Sequence, residues 1–316
     1  MRVNFHKHPI EASVYKEALS FENAKFLVAL SGGADSVTAA YILKNIGFEI
    51  ISLHCNFHLR GEESNRDMNF VVRFCKENGI PLEIEEFDVT HYIKKNRGSS
   101  LEMACRELRH KWFQDKLKEY NYSRIVTGHN ADDNIETFFL NMLRGSGTKG
   151  LRGMIKDNGI IWRPLLNFHR TDILNYIKDK KINYVVDSTN LENDYRRNYL
   201  RNTVIPLLKK EWKGFDMAMD KTIRNISTEN KIVEKMTESF LPSKIEPLFC
   251  ETILQFPAPL LLIQRYISPV GPFVATSQEI YNAIIANKPH IRKWKLKKGY
   301  VYLNNKKLSI EMSHSE

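Results

Sequence analysis

The sequence is short of the features that mark secreted, membrane and metal-cluster proteins. Its four cysteines, Cys55, Cys75, Cys105 and Cys250, are scattered and form no CxxC pair. That spacing argues for reduced thiols and against a Cys-ligated zinc or iron–sulfur site. No apolar run reaches the length that spans a bilayer, and MRVNFHKHPIEASVYKEAL at the start holds no apolar signal core. A cytoplasmic location is therefore expected, away from membranes. Internal repeats and low-complexity segments are absent too. Acidic residues run short in one region. Residues 1–195 hold 27 Lys/Arg and 26 Asp/Glu, whereas residues 196–316 hold 20 and 11. The net charge of +10 thus falls almost wholly on the last 121 residues. A basic segment beside a near-neutral one suggests a polyanionic partner, nucleic acid first; a solvated basic surface is the alternative. At 316 residues, with 42% hydrophobic and 27% charged, the composition is that of a globular chain long enough for two domains.

The stretch with the clearest chemistry is KFLVALSGGADSVTAAYILK, Lys25 to Lys44. Phe26 to Leu30 is an apolar run cut off by glycine, as in a buried parallel strand. Ser31-Gly32-Gly33-Ala34-Asp35-Ser36 follows, and Val37 to Leu43 has helical spacing. Strand, Gly-rich turn and helix start together make an anion site, because the first helical turn presents unpaired N–H groups. The loop ends in no Gly-Lys-Ser/Thr and is not GxGxxG. Where a lysine would stand there is Asp35. A carboxylate beside phosphates calls for a cation between them, which implies Mg²⁺. The alternative is a tight turn with Asp35 as a helix cap.

Further strands are expected at Glu49–Asn56, Leu82–Phe87, Arg124–Thr127 and Trp162–Leu166, alternating with helices. Four or five such units make a doubly wound parallel sheet. Helices are expected over Glu11–Phe21, from Glu62 to about Asn78, from Ser100 onward, over Ile135–Leu143 and over Thr171–Lys181, with a polar loop at 88–99. His54 and Asn56 end a strand where open α/β sheets bind ligands; His54 and His58 otherwise form a metal pair or packed core histidines. Arg106 and Arg109 leave one helix face, for phosphate or for surface ion pairs with Glu102 and Glu107. Asp132 and Asp133 stand together at a strand-to-helix junction with Glu136 on the same turn, placed for a cation or an amine. Arg144–Gly150 is a Gly-rich loop suited to facing phosphate. Arg197, Asn198 and Arg201 enter a helix that Pro206 is expected to kink. Beyond a boundary near 210, long helices are expected at 213–240, 252–267 and 276–287, then short strands over Lys293–Met312 turning at Asn304-Asn305.

SGGADS, HCNFHLRGEESNRD, ACRELRHKWF, GHNADDNIETFFLNMLRGSGTKGLRGM, RPLL and DSTNLENDYRRNYLRN occur in this order. Together they resemble the tRNA(Ile)-lysidine synthetase family of PP-loop ATP pyrophosphatases over about residues 25–210. The resemblance implies an α/β PP-loop domain, residues 1–210, and a smaller, basic, mainly helical tRNA-binding domain, residues 211–316. It implies that ATP with Mg²⁺ adenylates O2 of the wobble cytidine in the CAU anticodon of tRNA(Ile). Free L-lysine then displaces AMP to give lysidine, so that the codon read changes from AUG to AUA. Ser31, Gly32, Gly33, Ala34, Asp35 and Ser36, with His54, Asn56 and Arg106, would hold ATP, and Asp35 and Asp133 would bind Mg²⁺. Asp35, Arg109, Asp133 and Arg201 would be catalytic; Asp132, Glu136, Arg197 and Asn198 would meet lysine and tRNA. The family usually has Tyr at His110 and often a second His at Asn130, which bears on fine nucleotide contacts. Longer members carry a further domain. Two other readings are weighed against this one: a PP-loop enzyme that inserts sulfur, disfavoured by the missing CxxC, and an RNA-binding protein with a dead PP-loop fold. The sequence leaves oligomeric state open, a homodimer included.

Overall fold

Strand β1 (Lys25–Ala29) lies at the centre of the sheet and is buried on both faces. Its residues alternate between two cores. Phe26 and Val28 join one with Ile10, Val37, Ile42, Val71, Trp162 and Tyr176; Leu27 joins another with Ile51, Leu53, Phe113 and Ile125. The computed structural model describes residues 8–22, 24–96, 100–186, 196–242, 246–271, 274–287 and 291–313, and the chain divides into two compact units, Met1–Asn225 and Ile226–Glu316.

In chain order the first unit contains α1 (Pro9–Ala18), β1, α2 (Ala34–Asn45), β2 (Glu49–Asn56), α3 (Glu62–Glu77), β3 (Leu82–Glu86), α4 (Val89–Lys95), α5 (Leu101–Tyr120), β4 (Arg124–Val126), α6 (Ala131–Leu143), α7 (Thr148–Leu151), β5 (Ile161–Trp162) and α8 (Arg170–Lys180). After the undescribed residues come α9 (Arg196–Tyr199), a π-helical turn (Leu200–Val204), α10 (Ile205–Glu211) and α11 (Phe215–Glu238), which runs past the division. All five strands are parallel, in the order β3-β2-β1-β4-β5. The order reverses beside β1, so the loops after β1 and β4 flank the switch point, where such sheets take ligands.

Several expected boundaries shift for local reasons. α1 starts at Pro9, whose missing N–H suits a first helical position, under a cap from His8 Nδ1 to Ile10 N at 3.3 Å. The expected loop at 88–99 carries α4, capped by the Asp88 carboxylate on His91 N at 2.9 Å; residues 97–99 lie outside those described. α6 begins four residues earlier than expected, at Ala131. Asn130 and Asp133 close a capping box there, which puts Asp132 and Asp133 in the first turn. Pro206 offers no N–H to a preceding carbonyl, and the wide π turn stands just before it.

The second unit combines helices with an antiparallel sheet. β6 (Leu248–Phe249), β7 (Arg292–Leu296), β8 (Gly299–Asn304) and β9 (Lys307–Met312) pair in the order β6-β9-β8-β7. Asn305 and Lys306, both at positive φ, make the turn between β8 and β9. The expected single helix over 252–267 is two, α12 (Cys250–Gln255) and α13 (Pro259–Tyr266), because Pro257 and Pro259 interrupt it. With α14 (Val274–Ile285) they enclose a core of Ile253, Ile263, Ile267, Ile280, Val301 and Leu308. Among the described residues no helix is long and apolar enough to cross a membrane.

Gly128, at the exit of β4, lies against the loop after β1. A Cβ there would stand 2.7 Å from both the Asp35 carbonyl carbon and Ser36 N. Neither backbone atom can yield without moving α2. Gly128→Ala is therefore expected to destabilise the protein by about 1–3 kcal/mol through overpacking. The readout is the midpoint of chemical denaturation, and an unchanged midpoint would mean that the two segments part freely.

Candidate active site

The loop after β1 is held in shape before any ligand arrives. Gly32 takes φ +90°, a conformation other residues rarely adopt. Ser36 Oγ donates to Gly33 O at 3.0 Å, accepts from Ser31 N at 3.2 Å and lies 3.1 Å from Ser31 Oγ. Val185 N closes the loop from behind on Gly32 O at 2.9 Å. Gly33 N donates to Ser31 Oγ at 3.4 Å, and Ala34 opens α2, whose first intrahelical bond is Val37 N to Gly33 O, so the N–H groups before Val37 have no partner within the helix.

A cleft of about 310 Å³ opens between this loop and the end of β2, lined by Ser31, His54, Asn56, Arg60, Asp67 and Arg109 among others. His54 Nδ1 donates to Leu30 O at 2.8 Å. Burial lowers its pKa against the opposing backbone bond and the Asp67 charge, so the ring is neutral with Nε2 as an acceptor. Asn56 is buried and accepts from His58 N at 3.0 Å. His58 itself swings out to the exposed Glu86 carboxylate at 2.5 Å. The His54–His58 metal pair therefore does not form, because the chain turns between them at His58, φ 52°.

Arg106 and Arg109 do not make the surface stripe with Glu102 and Glu107. Glu107 accepts from Tyr92 Oη at 3.0 Å, and among the described residues neither arginine has an acidic partner. With Arg163 they form a wall of like charge. Arg163 Nη1 donates to Ile155 O at 2.6 Å, while its Nε is buried without a partner. His129 sits among them, 2.8 Å from Thr127 Oγ1. Burial first, then the charges of Arg163, Arg197, Arg109 and Arg106, drives its pKa to about 3. A neutral imidazole inside a guanidinium wall is a place for an anion.

The acids are met by a different set of arginines. Glu136 is only 1% exposed. It accepts from Arg201 Nε at 2.6 Å and Arg197 Nε at 2.7 Å. Asp133 Oδ1 takes Arg201 Nη2 at 2.9 Å and Arg197 Nη2 at 3.3 Å, while its Oδ2 accepts from Asn130 N at 3.1 Å. Asn198 is half-buried on the same helical segment. The alternative partners for Arg201, Asp187 and Asp194, lie outside the described residues. Asp35 Oδ2 accepts from Arg170 Nη1 at 3.0 Å, and Oδ1 is buried without a hydrogen bond. Burial raises the Asp35 pKa; Arg170 opposes this and the Asp133 charge adds to it. The orphaned Asp35 Oδ1 is a carboxylate oxygen of the kind a divalent cation takes, whereas both Asp133 oxygens already accept hydrogen bonds.

Asp132 turns the other way. It accepts from Arg170 N at 2.8 Å, Lys209 Nζ at 2.9 Å and His169 Nδ1 at 3.3 Å. His169 Nε2 also reaches Asp220 at 3.0 Å, and Lys209 reaches Asp216 at 2.9 Å. Burial alone would raise the Asp132 pKa, but these donors more than offset it and hold the carboxyl below its usual range. Asp132, His169 and Asp216 stand close enough for a metal. The Lys209 ammonium between the two aspartates and the cationic His169 repel one. Sequence reading missed His129, Arg163, His169, Arg170 and Lys209. His129 and Arg163 were available inside GHN and RPLL; the other three carry no local signal.

His169 gains its partners only in the fold, Asp132 first and then Asp220, which lift its pKa to about 9 against the cost of burial. A raised pKa means stabilisation that is full below the unfolded value near 6.5 and is lost as pH climbs through about 9. His169→Gln is expected to lower the melting temperature at pH 6 and to make little difference at pH 10. A gap between the two proteins that persists at pH 10 would refute the charged clamp.

A PP-loop domain family match covers residues 6–208. Among curated proteins, the tRNA(Ile)-lysidine synthase of Bacteroides thetaiotaomicron is 38% identical over 273 residues, 86% of this chain and 64% of that protein. The tRNA(Ile)-lysidine synthase of Porphyromonas gingivalis is 41% identical over 248 residues, 78% of this chain and 54% of that one. The chain thus spans between half and two thirds of the length of these relatives. Among solved structures, the U34-tRNA thiolase of Methanococcus maripaludis superposes with a TM-score of 0.56 at 19% identity, over 69% of this chain and 78% of that one, a likeness of fold alone. A Gly-turned anion loop at the switch point of a 3-2-1-4-5 parallel sheet, and a family match over residues 6–208, agree: the chain belongs to the PP-loop domain family.

Proposed function

We propose that the protein joins free L-lysine to C2 of the wobble cytidine in the CAU anticodon of tRNA(Ile), through an adenylated cytidine made from ATP. The observation that carries this is the meeting of three groups at one edge of the sheet: the anion loop, the guanidinium wall and the acid pair on α6. The curated relatives named tRNA(Ile)-lysidine synthase support the choice of substrate.

In this reading the 31–36 loop takes the phosphates, and the cleft with neutral His54 and Asn56 takes the nucleoside. Cytidine O2 attacks the α-phosphorus, and pyrophosphate departs with the electron pair of the broken P–O bond. The lysine ε-amine then adds at C2, a proton is lost, and AMP leaves with O2. Asp35 and Asp133 would hold Mg²⁺, which when bound offsets charge on the departing pyrophosphate. Arg109, with Arg106 and Arg163, holds negative charge on the adenylate and on RNA phosphate. Neutral His129 touches the base without adding repulsion. Asp133 and Glu136 are held by Arg197 and Arg201, so they receive the lysine ammonium only as one of those guanidiniums gives way to RNA. Asp132 already has three donors, so its role here is to position the helix start. Arg197, Asn198 and the basic residues after 195 face the tRNA.

Sulfur insertion is the runner-up, since the thiolase shares the fold. Cys55 lines the cleft, but burial pushes its thiol up to about 12. A thiol that does not ionise is a poor sulfur carrier.

The direct test is pyrophosphate release with and without tRNA, paired with transfer of labelled lysine to transcripts that carry or lack the wobble cytidine. In that assay Asp35→Asn is expected to cut release at least a hundredfold. Its melting temperature should hold or rise, because a buried carboxylate with a raised pKa is replaced by a neutral isostere. Near-normal release from folded Asp35→Asn protein would sink the assignment.

Arg201 donates from Nε and Nη2 to two carboxylates at once, a geometry that an ammonium cannot copy. Arg201→Lys should lower the single-turnover rate of lysidine formation at least tenfold and leave bulk tRNA affinity within about twofold. If the folded fraction turns over normally while the melting temperature drops, Arg201 is only a tether between α6 and the 196–211 segment.

A further inference from the structure

We propose that Arg170 is a catalytic residue that binds the β- and γ-phosphates of ATP and follows the pyrophosphate as it leaves. This rests on the ATP-pyrophosphatase reading above and extends it to a residue that no motif marks.

Arg170 is the first residue of α8, and its backbone N–H is fixed on Asp132 Oδ2 at 2.8 Å. From there its side chain crosses to the anion loop and donates Nη1 to Asp35 Oδ2 at 3.0 Å. Among the described residues no group takes Nε or Nη2, and the side chain is 45% exposed. Half of a guanidinium fork is therefore committed and half is open, one side chain away from the N–H groups of the phosphate cradle. A guanidinium meets phosphate best through two parallel donors.

Direction follows from the sheet. The cleft lined by His54, Asn56 and Arg109 lies on the β2 side of β1. Arg170 arrives from α8, after β5, on the β4 side. A nucleoside in the cleft sends its phosphate tail across the loop toward Asp35 and Arg170. A triphosphate also carries more negative charge than one divalent cation offsets, and Asp35 adds another. When the bond from the α-phosphorus breaks, its electron pair settles on a pyrophosphate oxygen, and the open side of Arg170, held at the anion loop by Asp35, is placed to meet that charge. Nη1 need not leave Asp35 for this, so the carboxylate holds the donor in position.

The test is calorimetric titration of the full chain and its variants with ATP, AMP and inorganic pyrophosphate in magnesium buffer. Losing a charge-assisted pair should weaken ATP and pyrophosphate by about tenfold or more in Arg170→Ala and Arg170→Gln. AMP, which lacks those phosphates, should change by less than about twofold, and Arg170→Lys should recover part of the loss. Arg170→Gln keeps the side-chain length and covers the case in which the alanine variant does not fold. Equal loss for ATP and AMP, no loss, or tighter ATP binding in the glutamine variant would overturn the assignment while leaving the reaction standing. A wild-type chain that binds no ATP would overturn the reaction and this assignment together.

Discussion

Carboxylates taken out of water must find cations, and that demand shapes the candidate site of this protein. Glu136 is almost wholly buried, yet it meets the guanidiniums of Arg197 and Arg201 within 2.7 Å. Breaking such a pair by removing one partner strands a buried charge, at a cost of about 3–5 kcal/mol. Arg197 and Arg201 thereby tie the 196–211 segment to α6 by charge, alongside the buried Leu200 and Ile205. Asp132 does the same for α8 and α10 through His169, Arg170 and Lys209. The sheet decides where the loops emerge, and ion pairs decide where the later segments rest upon them.

Those pairings divide the site by sign. Arg106, Arg109 and Arg163 stand together among the described residues without an acid, and His129 is forced neutral in their midst. Asp35, Asp133 and Glu136 instead carry arginines of their own, Arg170, Arg197 and Arg201. One group of guanidiniums is thus left for an anion from outside, while the other is spent on holding the protein's own carboxylates.

Much of this was legible in the chain because local rules carried it. An apolar run ended by Gly32 and Gly33 could hardly be anything but a buried strand feeding a helix. Asp132 and Asp133 were legible as a pair at a strand-to-helix junction, but not that they would meet different partners. Successive helical residues point about 100° apart, so one faces Arg201 and its neighbour faces Lys209. Lys209 lies 77 residues from Asp132, and Arg170 lies 135 from Asp35. Contacts at that range leave no periodic trace. α4 was missed because its apolar spacing, Val89, Tyr92 and Ile93, lasts a single turn; its clearer signal was the Asp88 cap. The break between α12 and α13 was written in Pro257 and Pro259, where the apolar run outweighed them.

The π turn at Leu200–Val204 has a consequence for how this segment tolerates change over generations. In an ideal α-helix, side chains four apart overshoot a full turn by about 40°. A wider turn winds less per residue and takes back that overshoot, which lets Arg197 and Arg201 converge on the same two carboxylates. The count of residues between Arg197 and Pro206 is thereby fixed. A single-residue deletion in this stretch would remove the bulge and swing Arg201 off its partners, so the spacing constrains the segment as firmly as the arginines themselves do.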